Sequence, residues 1–117
     1  LAFDHVLLNR YRDGEDHMGL HADDEPELGE SPQIAALSLG ARRRFVLQPK
    51  PKKLRHKKVV LTLEPGSLLV MGGRIQHAWR HGVPKQATVR EERVNVTFRR
   101  VKHDPGAAPA PQRRGSA

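Results

Sequence analysis

The 117-residue chain has no cysteine, and that absence removes disulfide staples, thiolate zinc fingers and cysteine nucleophiles together. Any metal it holds must be met by histidine and carboxylate side chains. Aromatic residues are scarce at 4%, so a core has to be built from Val, Leu, Ile and Ala, which suits a small β-rich domain. No apolar run approaches the ~20 residues that a membrane-spanning helix requires, and the expectation is that no signal peptide precedes Leu1. A soluble intracellular chain of one domain at most is the expectation. An initiator Met is lacking too, and the chain opens directly on a strand-like run, Leu1 to Arg12, which raises the expectation of a fragment of a longer protein.

Acidic residues are outnumbered, 13 against 21 Lys and Arg, giving a formal charge of +8. That balance favours polyanions, with nucleic acid the natural candidate, because Lys and Arg neutralise phosphates and release counterions. Solvated faces and tails produce the same balance, so charge alone leaves both readings open. The densest basic run is Lys50 to Lys58 (KPKKLRHKK), and Arg42, Arg43 and Arg44 are candidates to extend it.

Phe3 to Tyr11 reads as a first strand that stops at the turn signal Asp13-Gly14. Met18 to Asp23 reads as a short strand, and Asp24 to Pro32, broken by two Pro and a Gly, as a loop. Gln33 to Leu39 and Arg44 to Gln48 flank Gly40-Ala41-Arg42 in the manner of a hairpin. Val59 to Leu63, Ser67 to Met71, Ile75 to His81 and Val94 to Val101 read as further extended pieces. No long window holds a helical stripe, so the pattern is roughly seven or eight short strands in a sandwich or barrel. The segment from His103 (HDPGAAPAPQRRGSA) contains no large apolar residue and is expected to be a disordered tail, leaving residues 1–102 as the folded unit.

His21 and Asp23 are two residues apart, and extended backbone sends such side chains to the same side. One ion can then meet both, and a later histidine, His81, could complete a set of two imidazoles and a carboxylate. That donor set with open positions suits non-haem Fe(II), although zinc hydrolysis uses the same ligand types. In the last strand, period two puts Arg93, Asn95, Thr97 and Arg99 on one face and Val94, Val96 and Phe98 on the other. The polar face suits either the solvent side of an edge strand or a dicarboxylate site, since Arg forms paired, charge-assisted bonds to carboxylates.

The run LLNRYRDGEDHMGLHADDEPEL, followed in order by SPQIAALSLGARRRF, LEPGSLLVMGGRIQHAWRHGVPK and RVNVTFR, resembles the catalytic core of the AlkB-type Fe(II)/2-oxoglutarate dioxygenases, which repair alkylated nucleic acid bases. The resemblance implies an all-β double-stranded β-helix, or jelly roll, using Fe(II), 2-oxoglutarate and O2. His21, Asp23 and His81 match the family's ligands, His81 being preferred over His77 because Trp79-Arg80-His81-Gly82 carries the aromatic-x-His-Gly pattern. Asn9, Tyr11, Arg93, Asn95, Thr97 and Arg99 fall at co-substrate positions, with Arg93 on the distal carboxylate and Arg99 nearer the metal-bound end. Glu25 aligns with an acid that reads the damaged base, and Lys50, Lys52, Lys53 and Arg55 fall where relatives grip the nucleic acid backbone.

The implied reaction couples oxidative decarboxylation of 2-oxoglutarate to hydroxylation of an N-alkyl group on DNA or RNA, after which the product sheds an aldehyde. A monomer without membrane contact is implied, in the cytoplasm, at the nucleoid or in the nucleus according to the source. The family's N-terminal flanking segment and base-covering lid have no counterpart before Leu1, so weak action on nucleic acid is an expectation. Two other readings stay open: an oxygenase acting on a protein or small molecule, and a non-catalytic basic β-domain that binds nucleic acid.

Overall fold

Short alternating stretches, separated by Gly, Pro and Asp turns, fold into the strands β1 (His5–Tyr11), β2 (Met18–His21), β3 (Ile34–Gly40), β4 (Arg43–Pro49), β5 (Val59–Leu63), β6 (Leu68–Met71), β7 (Trp79–Val83) and β8 (Arg93–Arg99). A six-residue 3-10 segment, Lys52–Lys57, joins β4 to β5, and one helical turn, α1 (Ile75–Ala78), precedes β7. This computed structural model describes residues 3–24, 28–29 and 31–101. Glu25 and the tail from His103 lie outside the described residues.

The strands form two antiparallel four-stranded sheets, ordered β1-β8-β3-β6 and β2-β7-β4-β5. Successive strands pass back and forth between the sheets except for β4 and β5, which pair as neighbours within the second sheet, and the architecture is the expected double-stranded β-helix. The core between them is built from Tyr11, Ile34, Phe45, Leu63, Met71 and Val83, with Met18, Leu47, Leu61, Leu69 and Ile75 packed around it. Val6, Leu8, Leu39, Leu68 and Val70 alternate with inward-facing residues and lie exposed on the outer side of the first sheet.

Three expectations are corrected here. Gly40-Ala41-Arg42 is a crossover and not a hairpin: β3 is already bonded to β8 and β6, and β4 to β7 and β5, so neither has an edge left for the other. Gly40 takes a φ of +88°, and a Cβ there would stand 2.2 Å from the Glu92 carbonyl oxygen, so the crossing needs glycine on both counts. Ile75 to His81 is not extended throughout, because its first four residues form α1, too short to leave a helical period in the sequence. Arg43 does not extend the basic surface; it is fully buried, while Arg42 pairs with Glu64 at 3.1 Å and Arg44 is exposed.

Candidate active site

β2 and β7 are antiparallel neighbours, and their register sets His21 opposite His81. The two rings are 4.4 Å apart between centroids. Asp23, just past the end of β2, turns its carboxylate between them: Oδ1 is 3.9 Å from His21 Nε2 and Oδ2 is 3.4 Å from His81 Nε2. One donor atom from each residue lies within 4.8 Å of the others. His77, the alternative third ligand, is exposed on α1 and does not belong to this group.

The surroundings hold the three in place. His21 Nδ1 is 2.8 Å from the Gly19 carbonyl oxygen, which can only accept, so Nδ1 carries the proton and Nε2 presents its lone pair to the cluster. The Asp23 backbone N–H donates to Gln76 Oε1 at 2.8 Å, and Gln76 is itself fully buried. Phe45 stacks on the His81 ring at 5.5 Å with an interplanar angle of 24°. Gly82 leaves room for the β2 backbone, since a Cβ would stand 2.8 Å from the Met18 carbonyl oxygen.

A polar floor continues from this cluster along the same cavity. Asn9 and Tyr11 face inward from β1, and Arg93, Asn95, Thr97 and Arg99 face inward from β8. The register pairs Asn9 with Asn95 and Tyr11 with Arg93. β8 lies in the interior of its sheet, so its polar face is not the solvent side of an edge strand. Arg93 is 2% exposed, and its Nη2 donates to Ser38 Oγ at 2.8 Å. Its guanidinium carbon stands 5.1 Å from the centre of the Tyr11 ring. Burial lowers the Arg93 pKa and raises that of the Tyr11 phenol, and their mutual attraction opposes both shifts.

Two tests of fit follow from these atoms. Two imidazole nitrogens and a carboxylate, converging and largely withdrawn from solvent, suit a divalent transition metal with open positions. Arg93 Nε and Nη1 and Arg99 Nε have no hydrogen-bond partner, and neither have the amide oxygens of Asn9 and Asn95. Buried donors are rarely left unpaired. The three guanidinium donors on one wall of one cavity suit an anionic ligand that accepts from them, and no acidic side chain among the described residues does so; the two amide oxygens can only accept and do not hold such an anion.

Lys52, Lys53 and Arg55 are exposed on the 3-10 segment, away from the cavity wall, and Lys50 is half-buried with its Nζ 3.6 Å from Asp24 Oδ2. Sequence reasoning missed Ser38, Phe45 and Gln76. A signal for Ser38 was present, since it is the lone hydroxyl on the inward period of the apolar strand β3. Gln76 left none, because the turn that aims it is four residues long.

The 2OG-Fe(II) oxygenase superfamily profile matches residues 1–99, and the chain belongs to that superfamily, whose chemistry uses Fe(II), 2-oxoglutarate and O2. Within it the chain is of the AlkB type, as the sequence blocks imply. It is 45% identical to the rat alpha-ketoglutarate-dependent dioxygenase alkB homolog 3, over 92% of this chain and 39% of the relative. It is 42% identical to the Arabidopsis thaliana DNA oxidative demethylase ALKBH2, over 85% of this chain and 38% of that relative. The solved structure of OsALKBH1 superposes with a TM-score of 0.66 at 28% identity, covering 86% of this chain and 49% of that one. The chain thus spans about two fifths of the length of the curated relatives it matches.

Proposed function

We propose that the protein to which this chain belongs oxidatively demethylates N-alkylated bases in DNA or RNA, with His21, Asp23 and His81 as iron ligands. The observation that carries the reading is one cavity that joins a converging His-Asp-His cluster to buried, unpaired guanidinium donors. Arg93 is assigned to the distal carboxylate of 2-oxoglutarate, which would occupy its free Nε and Nη1. Tyr11, Asn9, Asn95, Thr97 and Arg99 line the remainder of the co-substrate's path, Arg99 at the metal-bound end.

Iron and 2-oxoglutarate, when bound, supply the oxidising power for the N-alkyl group. The chain's part is to orient and to enclose. Gly19 and Gln76 fix the faces of His21 and Asp23, and Phe45 backs His81 so that its nitrogen keeps one direction. The apolar neighbours Ile34, Phe45, Leu63 and Met71 keep water from the inner cavity. Lys50, Lys52, Lys53 and Arg55 are assigned to phosphate contacts that add salt-dependent affinity, and Glu25 to the polar edge of the target base.

Residues 1–102 form the catalytic unit in this reading, and 103–117 an appended tail. The protein acts as a monomer away from membranes, in the cytoplasm, nucleoid or nucleus; among the described residues no helix is long and apolar enough to cross a membrane. The test is succinate formation with Fe(II), 2-oxoglutarate and a methylated single-stranded oligonucleotide, using the full-length protein, with Asp23→Ala and Arg93→Ala alongside. The reading predicts succinate and restored base, both lost in the two variants. Succinate without base repair would move the substrate to a protein or small molecule. Oligonucleotide binding with no turnover would leave only a nucleic-acid-binding domain.

A further inference from the structure

We propose that Arg43, the first residue of β4, is a positioning residue for the distal end of the co-substrate cavity, acting through Tyr11 on Arg93. The proposal rests on the assignment of Arg93 made above. Arg43 is among the most deeply buried side chains of the protein, with no exposed surface and no carboxylate bonded to it. Its Nη1 donates to the Asp13 carbonyl at 3.1 Å, and its Nη2 donates to the carbonyls of Asp16 at 2.7 Å and Pro84 at 2.9 Å. One guanidinium therefore ties the β1–β2 turn to the segment that leaves β7. The turn is held further by Arg12, which grips the Asp16 carboxylate through its backbone N–H, Nε and Nη2.

The same guanidinium lies over the Tyr11 ring, 5.4 Å from its centre, and Arg93 lies over that ring at 5.1 Å. Tyr11 thus separates an arginine whose two terminal nitrogens are tied to backbone carbonyls, only its Nε lacking a partner, from one that holds Ser38 through Nη2 and leaves Nε and Nη1 without a partner. An apolar side chain could fill the space at Arg43 without bringing charge into the core, and buried charges are expensive to keep. What the charge adds here is a fixed cation behind Tyr11 that sets the ring, and with it the direction of the Arg93 fork. It also adds positive potential at the end of the cavity where the second carboxylate of the co-substrate would sit. β4 then backs both halves of the site, Phe45 behind His81 and Arg43 behind Tyr11.

The test compares 2-oxoglutarate with 2-oxopentanoate, which has the same carbon chain and keeps the 2-oxo acid but carries a methyl group in place of the distal carboxylate. Their affinities are measured by calorimetry on the Mn(II)-loaded protein, so no turnover is involved. Arg43→Met removes the charge; Arg43→Lys keeps it but cannot span both sets of carbonyls. The expected result is that the preference for 2-oxoglutarate falls about tenfold in Arg43→Met, the worth of a charge-assisted hydrogen bond, and less in Arg43→Lys, with Mn(II) affinity unchanged in both. Should Arg43→Met fail to fold, Arg43→Lys carries the comparison. A lower melting temperature with the preference intact in the folded variants overturns the proposal and leaves Arg43 as a structural tie. A parent protein without any preference would instead refute the Arg93 assignment, and the proposal would fall with it.

Discussion

Replacing Arg93 by Met should separate binding from stability. Arg93 is 2% exposed and has two nitrogens without partners, so its charge is held in the core at a desolvation cost that nothing in the unliganded protein fully offsets. Substitution forfeits the bond to Ser38 Oγ, worth about 1 kcal/mol, and the contact with the Tyr11 face, worth about 1 kcal/mol. Against these stands the relief of a buried, incompletely paired cation, of the order of several kcal/mol before relaxation. The unliganded variant is therefore predicted to unfold in urea within about 1 kcal/mol of the parent, or to be more stable. Two charge-assisted hydrogen bonds to 2-oxoglutarate disappear at about 1.5–3 kcal/mol each, so affinity should fall by roughly two to four orders of magnitude. Urea melts without ligand, paired with calorimetric titration of 2-oxoglutarate, read both quantities. Loss of several kcal/mol of stability with affinity preserved would show that Arg93 is a structural group and refute the reasoning.

Other outcomes follow from neighbouring residues. Gln76→Leu leaves the Asp23 backbone N–H without its acceptor, and should weaken Mn(II) binding about 10- to 100-fold in a metal titration while the fold persists. Asp16 is held well below the usual carboxylate range, first by the Arg12 side chain and then by its backbone N–H. Its contribution is full above the ordinary value of about 4 and is lost as pH falls below it, so the stability gap between the parent and Asp16→Asn should stay constant from pH 7 to about 4 and shrink only below that in urea melts. Replacing Lys52, Lys53 and Arg55 by Ala should lower single-stranded oligonucleotide affinity and reduce the slope of log K against log salt by up to about 2, read by fluorescence anisotropy across a salt series.

Much of the site was legible in the sequence because strand periodicity carries it. The two-residue spacing of Asn9 and Tyr11, and of Arg93 to Arg99, fixed shared faces before any strand was placed, whereas β2 ends at His21 and Asp23 joins the site from just past the strand. Periodicity does not say which face is inward. That choice depended on β8 lying between β1 and β3, a fact of sheet order that no local pattern contains. The false hairpin at Gly40 has the same origin, since a short glycine turn looks alike whether its strands pair or part. Arg43 misled for another reason: in a run of three arginines, composition cannot distinguish the one whose side chain points inward to three carbonyls.

The central claim is that His21, Asp23 and His81 form one metal site continuous with a 2-oxoglutarate pocket. Titrating Mn(II) into the protein by electron paramagnetic resonance, with and without 2-oxoglutarate, tests it directly. The prediction is a single tight site, abolished in Asp23→Ala, whose affinity rises when 2-oxoglutarate is present and does not rise in Arg93→Met. Tight Mn(II) binding that survives Asp23→Ala, or that is indifferent to 2-oxoglutarate in the parent, would contradict it.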